Sequence, residues 1–213
     1  TIKKYFFRDL FHQNLIKKKP KNKELKENYK RIVKYKKMIK FVYQNSPLGT
    51  GDAILKCKKL IKSNYFLMLL PDDLIIKRNC SKQLIKLHKK YKSSVIASMK
   101  VDYNDISRWG IFNIKKINKK HFKITDVIEK PNRKEAPSNY AVIGRYILPK
   151  EIFKVLDRQK PGKNNEIHIT DSIRTLIYNN NKFIGHLFDG KYLDCGSLKG
   201  YINSTIKISS LKI

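Results

Sequence analysis

The chain has 213 residues, 41% hydrophobic and 11% aromatic, which is apolar surface enough for one sizeable core and too much for a disordered polypeptide. Its formal charge of +31, from 48 Lys plus Arg against 17 Asp plus Glu, invites nucleic acid or another anionic partner. No apolar run approaches the roughly 20 residues of a membrane helix, and three cysteines without C-x-x-C spacing (Cys57, Cys80, Cys195) argue against a disulfide framework or zinc site and for a reducing, cytoplasmic compartment.

The basic residues are densest at the front, where residues 1–40 carry 15 Lys plus Arg against 3 Asp plus Glu. A helical period still shows through, so residues 2–16 and 22–39 read as two helices with basic faces, split by Lys19-Pro20. The chain opens on Thr1 without a signal-peptide pattern, and its start reads as the middle of something, so we expect residues upstream. Residues 40–43 have strand character, and 44–52, with one proline and two glycines, read as a loop before an amphipathic stretch ending near Lys62.

Residues 65–70 form an apolar run of strand length, suited to a strand buried on both faces of a parallel sheet. A helix over 81–91 and a strand over 95–99 complete a βαβ unit. Two strands over 109–114 and 122–129 follow, then a strand over 140–148 and a helix over 150–156. A helix over 170–179 opens on a Thr170 cap; a strand over 183–188 and a helix over 197–208 close the chain. The expectation is one α/β domain over residues 1–213 with a mixed, mainly parallel sheet, its first 40 residues a basic helical segment. Elsewhere the lysines are spread evenly and lie on solvated faces. No RNA- or DNA-binding motif accompanies them, so polybasic nucleic-acid binding stands as the alternative of another class.

Open α/β sheets bind ligands at the carboxyl ends of their strands, and three such places hold informative residues. In Gln44 to Ala53, a glutamine offers both donor and acceptor to the imide edge of a pyrimidine, and glycines let backbone approach a flat base; the same string also reads as an ordinary turn. At Leu69-Leu70-Pro71-Asp72-Asp73 a strand ends in two carboxylates, either a turn with a helix cap or the one or two acids with which Mg²⁺ is held beside phosphates. At Val127-Ile128-Glu129-Lys130-Pro131 an acid able to accept from sugar hydroxyls stands beside a base able to neutralise a sugar phosphate, or the two form a solvated ion pair. Gly110 after Trp109, and Asp194 in Tyr192-Leu193-Asp194-Cys195-Gly196, join these candidates.

The strings PLGTGDAI (47–54), LLPDDLI (69–75), SRWGIF (107–112), VIEKP (127–131), APSNYAVIGRYIL (136–148), KPGKNNEIHITDSI (160–173) and GKYLDCG (190–196), in this order, closely resemble the bacterial UTP:glucose-1-phosphate uridylyltransferases, from Phe41 onward. The resemblance implies a Rossmann-like nucleotidyltransferase fold and Mg²⁺-dependent, in-line transfer from UTP to glucose 1-phosphate, giving UDP-glucose and pyrophosphate without a covalent intermediate. It assigns Gln44 and Gly49 to the uracil, Asp72 and Asp194 to the metal, Gly110, Glu129 and Gly144 to the sugar, and Lys130 to the sugar phosphate. A glucose-1-phosphate nucleotidylyltransferase using dTTP or CTP is the near alternative.

The family's first strand and its G-x-G-T-R triphosphate loop are expected before Thr1. Their absence from this sequence implies that the isolated chain is inactive or nearly so. Asp52 replaces a family histidine. Phe7, Phe11 and Gln13 replace acids of an FD-x-S-x-ELE pattern, which implies altered packing or homo-oligomer contacts.

Overall fold

The computed structural model describes residues 2–7 and 10–211. Thr1, residues 8–9 within the first expected helix and the side chain of Phe11 lie outside them. The chain divides into two compact units, residues 1–43 and 44–213. In the first, helices α1 (Ile2–Phe7), α2 (Leu10–Lys18) and α3 (Lys23–Lys36) follow in order. The Asn22 side chain caps α3 by accepting from the Leu25 N–H, which satisfies one of the four unpaired donors of a helix start. Residues 40–43, expected as a strand, have no regular structure; a strand exists only where a neighbour takes its hydrogen bonds.

The second unit runs α4 (Thr50–Lys56), β1 (Tyr65–Leu69), β2 (Asp73–Ile76), α5 (Cys80–Tyr91), β3 (Ser94–Lys100), β4 (Gly110–Lys116), β5 (His121–Glu129), β6 (Tyr140–Pro149), α6 (Ile152–Leu156), α7 (Ile169–Tyr178), β7 (Phe183–Leu187), β8 (Lys191–Asp194) and α8 (Leu198–Ser209). Six strands form one sheet in the order β1-β6-β3-β7-β5-β4, and β2 pairs with β8 in a separate ribbon. The sheet is mixed, as expected, but not mainly parallel between neighbours. Among the described strands only β3 and β7 are parallel neighbours. β1, β3, β7 and β4 share one direction, and β6 and β5 oppose them. The reason is β6, which inserts antiparallel between β1 and β3 and so separates the two strands of the expected βαβ unit. Among the described strands β1 pairs with β6 alone, and Leu69 is 49% exposed, where burial on both faces was expected.

The central strands are covered on both faces, which is why they read as continuous apolar runs. Ile96 of β3 and Val142, Tyr146 and Leu148 of β6 face the side packed by Phe153 of α6 and Ile173 and Leu176 of α7. Val95 and Ala97, with Ile143 and Ile147, face Leu84 and Leu87 of α5 on the other side. This alternation is the period-two geometry of a strand. α7 starts at Ile169 with His168 in the cap position and no side-chain cap bond; Thr170, expected as the cap, lies inside the helix with its hydroxyl turned elsewhere. The Ser197 side chain caps α8 by accepting from the Gly200 N–H. No described helix is long and apolar enough to cross a membrane.

Candidate active site

The turn between β1 and β2 separates two adjacent carboxylates into different environments. Asp73, the first residue of β2, is 9% exposed. Its Oδ2 accepts from the Gly144 N–H of β6 at 2.6 Å and its Oδ1 from the Tyr192 hydroxyl of β8 at 2.6 Å. Arg145 ties the same turn by donating to the carbonyls of Leu70 at 2.8 Å and Asp73 at 2.6 Å. Burial pushes the Asp73 carboxyl above the usual carboxylate range, while the Tyr192 hydroxyl, the Gly144 N–H and the Arg145 charge draw it back. Burial and the Asp73 charge raise the Tyr192 phenol, so it stays protonated and keeps donating.

This clamp aims the neighbouring Asp72 outward. The β2–β8 register sets Asp73 opposite Asp194, and the Cys195 N–H donates to the Asp72 carbonyl at 2.8 Å. A Cβ on Gly196 would stand 2.8 Å from Asp72 Oδ2 and 3.5 Å from Asp194 Oδ1, so both carboxylates flank one point that glycine leaves open. Two hard oxygen donors on one point suit Mg²⁺, which takes one or two carboxylates and completes its shell with water and phosphate. Among the described residues no group of three His, Cys, Asp or Glu side chains gathers into a protein-only cage.

On the other side of this turn the hairpin β4–β5 pairs Gly110 with Glu129. Thr170 of α7 donates to Glu129 Oε2 at 2.7 Å, and that oxygen lies 3.2 Å from where a Gly110 Cβ would stand. Lys130 follows at φ +46°, an uncommon left-handed value for a residue with a side chain. Its N–H donates to the Trp109 carbonyl at 3.0 Å and its carbonyl accepts from Lys163 Nζ at 2.6 Å. Asp72, Gly110, Glu129 and Lys130 line one cavity of about 270 Å³, together with Arg108, Thr50 and His168.

Gln44, Gly49, Gly144 and Asp194 are not among the residues lining this cavity. Gly144, expected at the sugar pocket, stands behind the wall: a Cβ there would meet Asp73 Oδ2 and Leu70 Cβ, each at 2.5 Å. Asp194 lines an adjoining cavity of about 650 Å³, whose wall also contains Arg108 and Trp109. The loop 44–52 reaches the first cavity through Thr50, whose hydroxyl accepts from the Ile169 N–H at 3.3 Å. Gly49 holds φ +102°, and a Cβ there would be 2.7 Å from the Ile167 carbonyl oxygen, so only glycine fits this close approach.

Gln44 Nε2 donates to Asp52 Oδ2 at 2.8 Å and to the Gly49 carbonyl at 3.1 Å. Asp52 is 4% exposed and pairs with Lys56 at 3.0 Å. The Gln44 amide first, then Lys56, hold its carboxyl below the usual range against the opposing effect of burial. The negative charge that stands in place of the family histidine is thus met inside the protein by Gln44 and Lys56.

Sequence reasoning missed Tyr192, Arg145, Arg108, Thr170 and Lys163 as parts of this site, and it offered Asp73 beside Asp72 without showing that Asp73 is the buried member of the pair. All five lie inside strings already singled out, but nothing local says that their partners are remote.

Residues 2–210 match the family described as Nucleotidyl transferase. A UTP--glucose-1-phosphate uridylyltransferase of Streptococcus pyogenes is 37% identical over 174 residues, which are 79% of this chain and 57% of that protein. The chain therefore spans little more than half the length of such curated relatives. The solved structure of a UDP-glucose pyrophosphorylase complexed with UDP-glucose superposes with a TM-score of 0.79 and 38% identity, covering 86% of this chain and 72% of that one. An apo UDP-glucose pyrophosphorylase superposes with a TM-score of 0.83 and 36% identity, covering 93% and 74%.

Proposed function

We propose a function on one premise: the chain belongs to the nucleotidyl transferase family. Its reaction, in our reading, is transfer of a uridylyl group from UTP to glucose 1-phosphate, giving UDP-glucose and pyrophosphate. The observation that carries this reading is the meeting of Asp72, Gly110, Glu129 and Lys130, remote from one another in the chain, around a single cavity.

Asp72 and Asp194 would hold one Mg²⁺, whose bound charge offsets that of the phosphates. Glu129, fixed by Thr170, accepts from glucose hydroxyls, and the missing side chain of Gly110 lets the ring come close. Lys130 Nζ pairs with the phosphate of glucose 1-phosphate. Gln44 and Gly49 face the uracil, and Gly144 acts from behind the wall by holding Asp73. An oxygen of glucose 1-phosphate attacks the α-phosphorus of UTP; the new P–O bond forms as the bond to the bridging oxygen of the β-phosphate breaks, and pyrophosphate leaves with that electron pair. No side chain forms a covalent bond, so the protein contributes positioning and fixed charge.

The 213-residue chain on its own should turn over negligibly, since its sequence contains no G-x-G-T-R string to grip the triphosphate. Detectable synthesis of UDP-glucose by this chain from UTP, glucose 1-phosphate and Mg²⁺ would refute that part. The site itself is tested by calorimetry with UDP-glucose and Mg²⁺. Glu129→Gln should weaken UDP-glucose about tenfold, the worth of one hydrogen bond to a charged group, and leave UMP unchanged. Wild-type affinity for UDP-glucose in both Glu129→Gln and Lys130→Ala would overturn the reading.

A further inference from the structure

The least settled cation of the site is Arg108. It stands at the end of the 3-10 turn Tyr103–Arg108, and its Nη2 donates to Asp194 Oδ2 at 2.9 Å. The other oxygen of Asp194 accepts the Gly196 N–H at 2.9 Å, so both oxygens of this carboxylate are occupied by donors of the protein itself. The other contacts of Arg108 are longer. Its contact with Asp105 is 3.5 Å long, its side chain is 51% exposed against 26% for Asp194, and its guanidinium lies over the Trp109 ring at 5.6 Å from the centroid.

Arg108 also belongs to two places at once. It lines the larger cavity with Asp194 and the smaller one with Lys130 and Glu129. The smaller cavity is lined by four acidic residues, Asp72, Asp73, Glu129 and Glu166, and by two permanent cations, Arg108 and Lys130. A phosphate entering that wall needs more positive charge than Lys130 alone supplies.

We infer that Arg108 is a two-position cation, holding Asp194 while the carboxylate pair is free and turning over the Trp109 face to a substrate phosphate beside Lys130 when a divalent cation takes Asp194. The inference rests on the functional reading above and adds to it a phosphate-binding residue and an internal competitor for the metal. A half-exposed pair of this kind is weak, so Arg108 tunes cation binding without blocking it.

The test uses the whole chain and two ligands of opposite charge. Mn²⁺ binding is followed by electron paramagnetic resonance, and glucose 1-phosphate binding at saturating Mn²⁺ by calorimetry. Arg108→Ala, with Arg108→Gln as a second variant that keeps the length of the side chain, should bind Mn²⁺ about two- to fivefold more tightly. The same variants should bind glucose 1-phosphate about tenfold more weakly. Asp194→Asn should weaken Mn²⁺. Changes of one sign for both ligands would mean a merely structural role and overturn the inference, as would wild-type affinities for both. If the wild-type chain binds Mn²⁺ no better than Asp72→Asn, the functional reading fails and this inference with it.

Discussion

Replacing Tyr192 by phenylalanine removes one oxygen atom from the protein and one of the two hydrogen-bond donors on the Asp73 side chain. The hydroxyl lies 2.6 Å from Asp73 Oδ1, and after its loss only the Gly144 N–H, at 2.6 Å from Oδ2, still serves the carboxylate, since Arg145 is engaged with carbonyls. A hydrogen bond to a buried charged group is worth about 1.5–3 kcal/mol. The alternative open to the variant is to take up a proton at Asp73, which from an ordinary carboxyl at pH 7 costs about 4 kcal/mol and less from a raised one. The smaller figure governs, so the expected loss at pH 7.5 is about 1.5–3 kcal/mol.

The pH dependence has a definite sign. Burial raises the folded pKa of Asp73 above its unfolded value, so the stability this group contributes is complete below the unfolded pKa and declines as pH rises through the folded one. Removing a donor raises the folded pKa further and deepens that decline. The two proteins should therefore converge in acid, where the carboxyl is protonated in both.

Urea unfolding at pH 7.5 and 4.5 measures both effects. Trp109, the single tryptophan, packs edge-on against Tyr192 at 5.6 Å and reports directly from the site. A loss below about 0.5 kcal/mol at pH 7.5, the scatter of neutral surface changes, or an equal loss at both pH values would refute the clamp. The same variant should weaken Mn²⁺, because the clamp orients Asp72.

Two further expectations follow from buried polar groups. His186 donates through Nε2 to Gln83 Oε1 at 3.0 Å while its Nδ1 is buried without a partner, and burial, helped by the nearby His121, lowers its pKa to about 4. Its stabilisation is present above about pH 6.5 and lost as pH falls toward the folded value, so between pH 7.5 and 5.0 the wild type should lose about 2 kcal/mol more than His186→Gln; urea unfolding of both decides it, and an identical pH dependence would exclude the assignment. Asp52 and the Gly49 carbonyl are acceptors only, so they pin the Gln44 amide with its oxygen outward, a match for the N3–H of uracil and a mismatch for cytosine. Asp52→Asn frees the amide to turn over, and the ratio of UTP to CTP affinity should fall about tenfold; an unchanged ratio would show that Gln44 is held some other way.

Much of the local structure is legible in the residues. Helix α5 follows from apolar residues at helical spacing and the start of α8 from Ser197. The hairpin β4–β5 follows from two strand-like runs joined by a lysine- and asparagine-rich turn. The ordered strings around Asp72, Gly110, Glu129, Lys130 and Asp194 point to the family because each keeps its chemistry within a few neighbouring residues. Thr170 was misread because a threonine at a helix start serves equally as a cap or as a donor to a remote acid, and only the position of Glu129 decides between them. Residues 40–43 were misread because an apolar run does not say whether a neighbour exists to pair with it.

Side-chain period, turn composition and capping act over one or two turns of chain, so this sequence by itself determines where most helices and strands begin and end, and which motifs it carries. Partner choice is a contest between segments far apart. Only the tertiary structure decides that β6 enters between β1 and β3, that Asp73 lies opposite Asp194 and turns inward while Asp72 turns out, and that Arg108 closes on Asp194. Each of these depends on free energy gained when remote backbone and charges meet, and no local pattern of residues records that meeting.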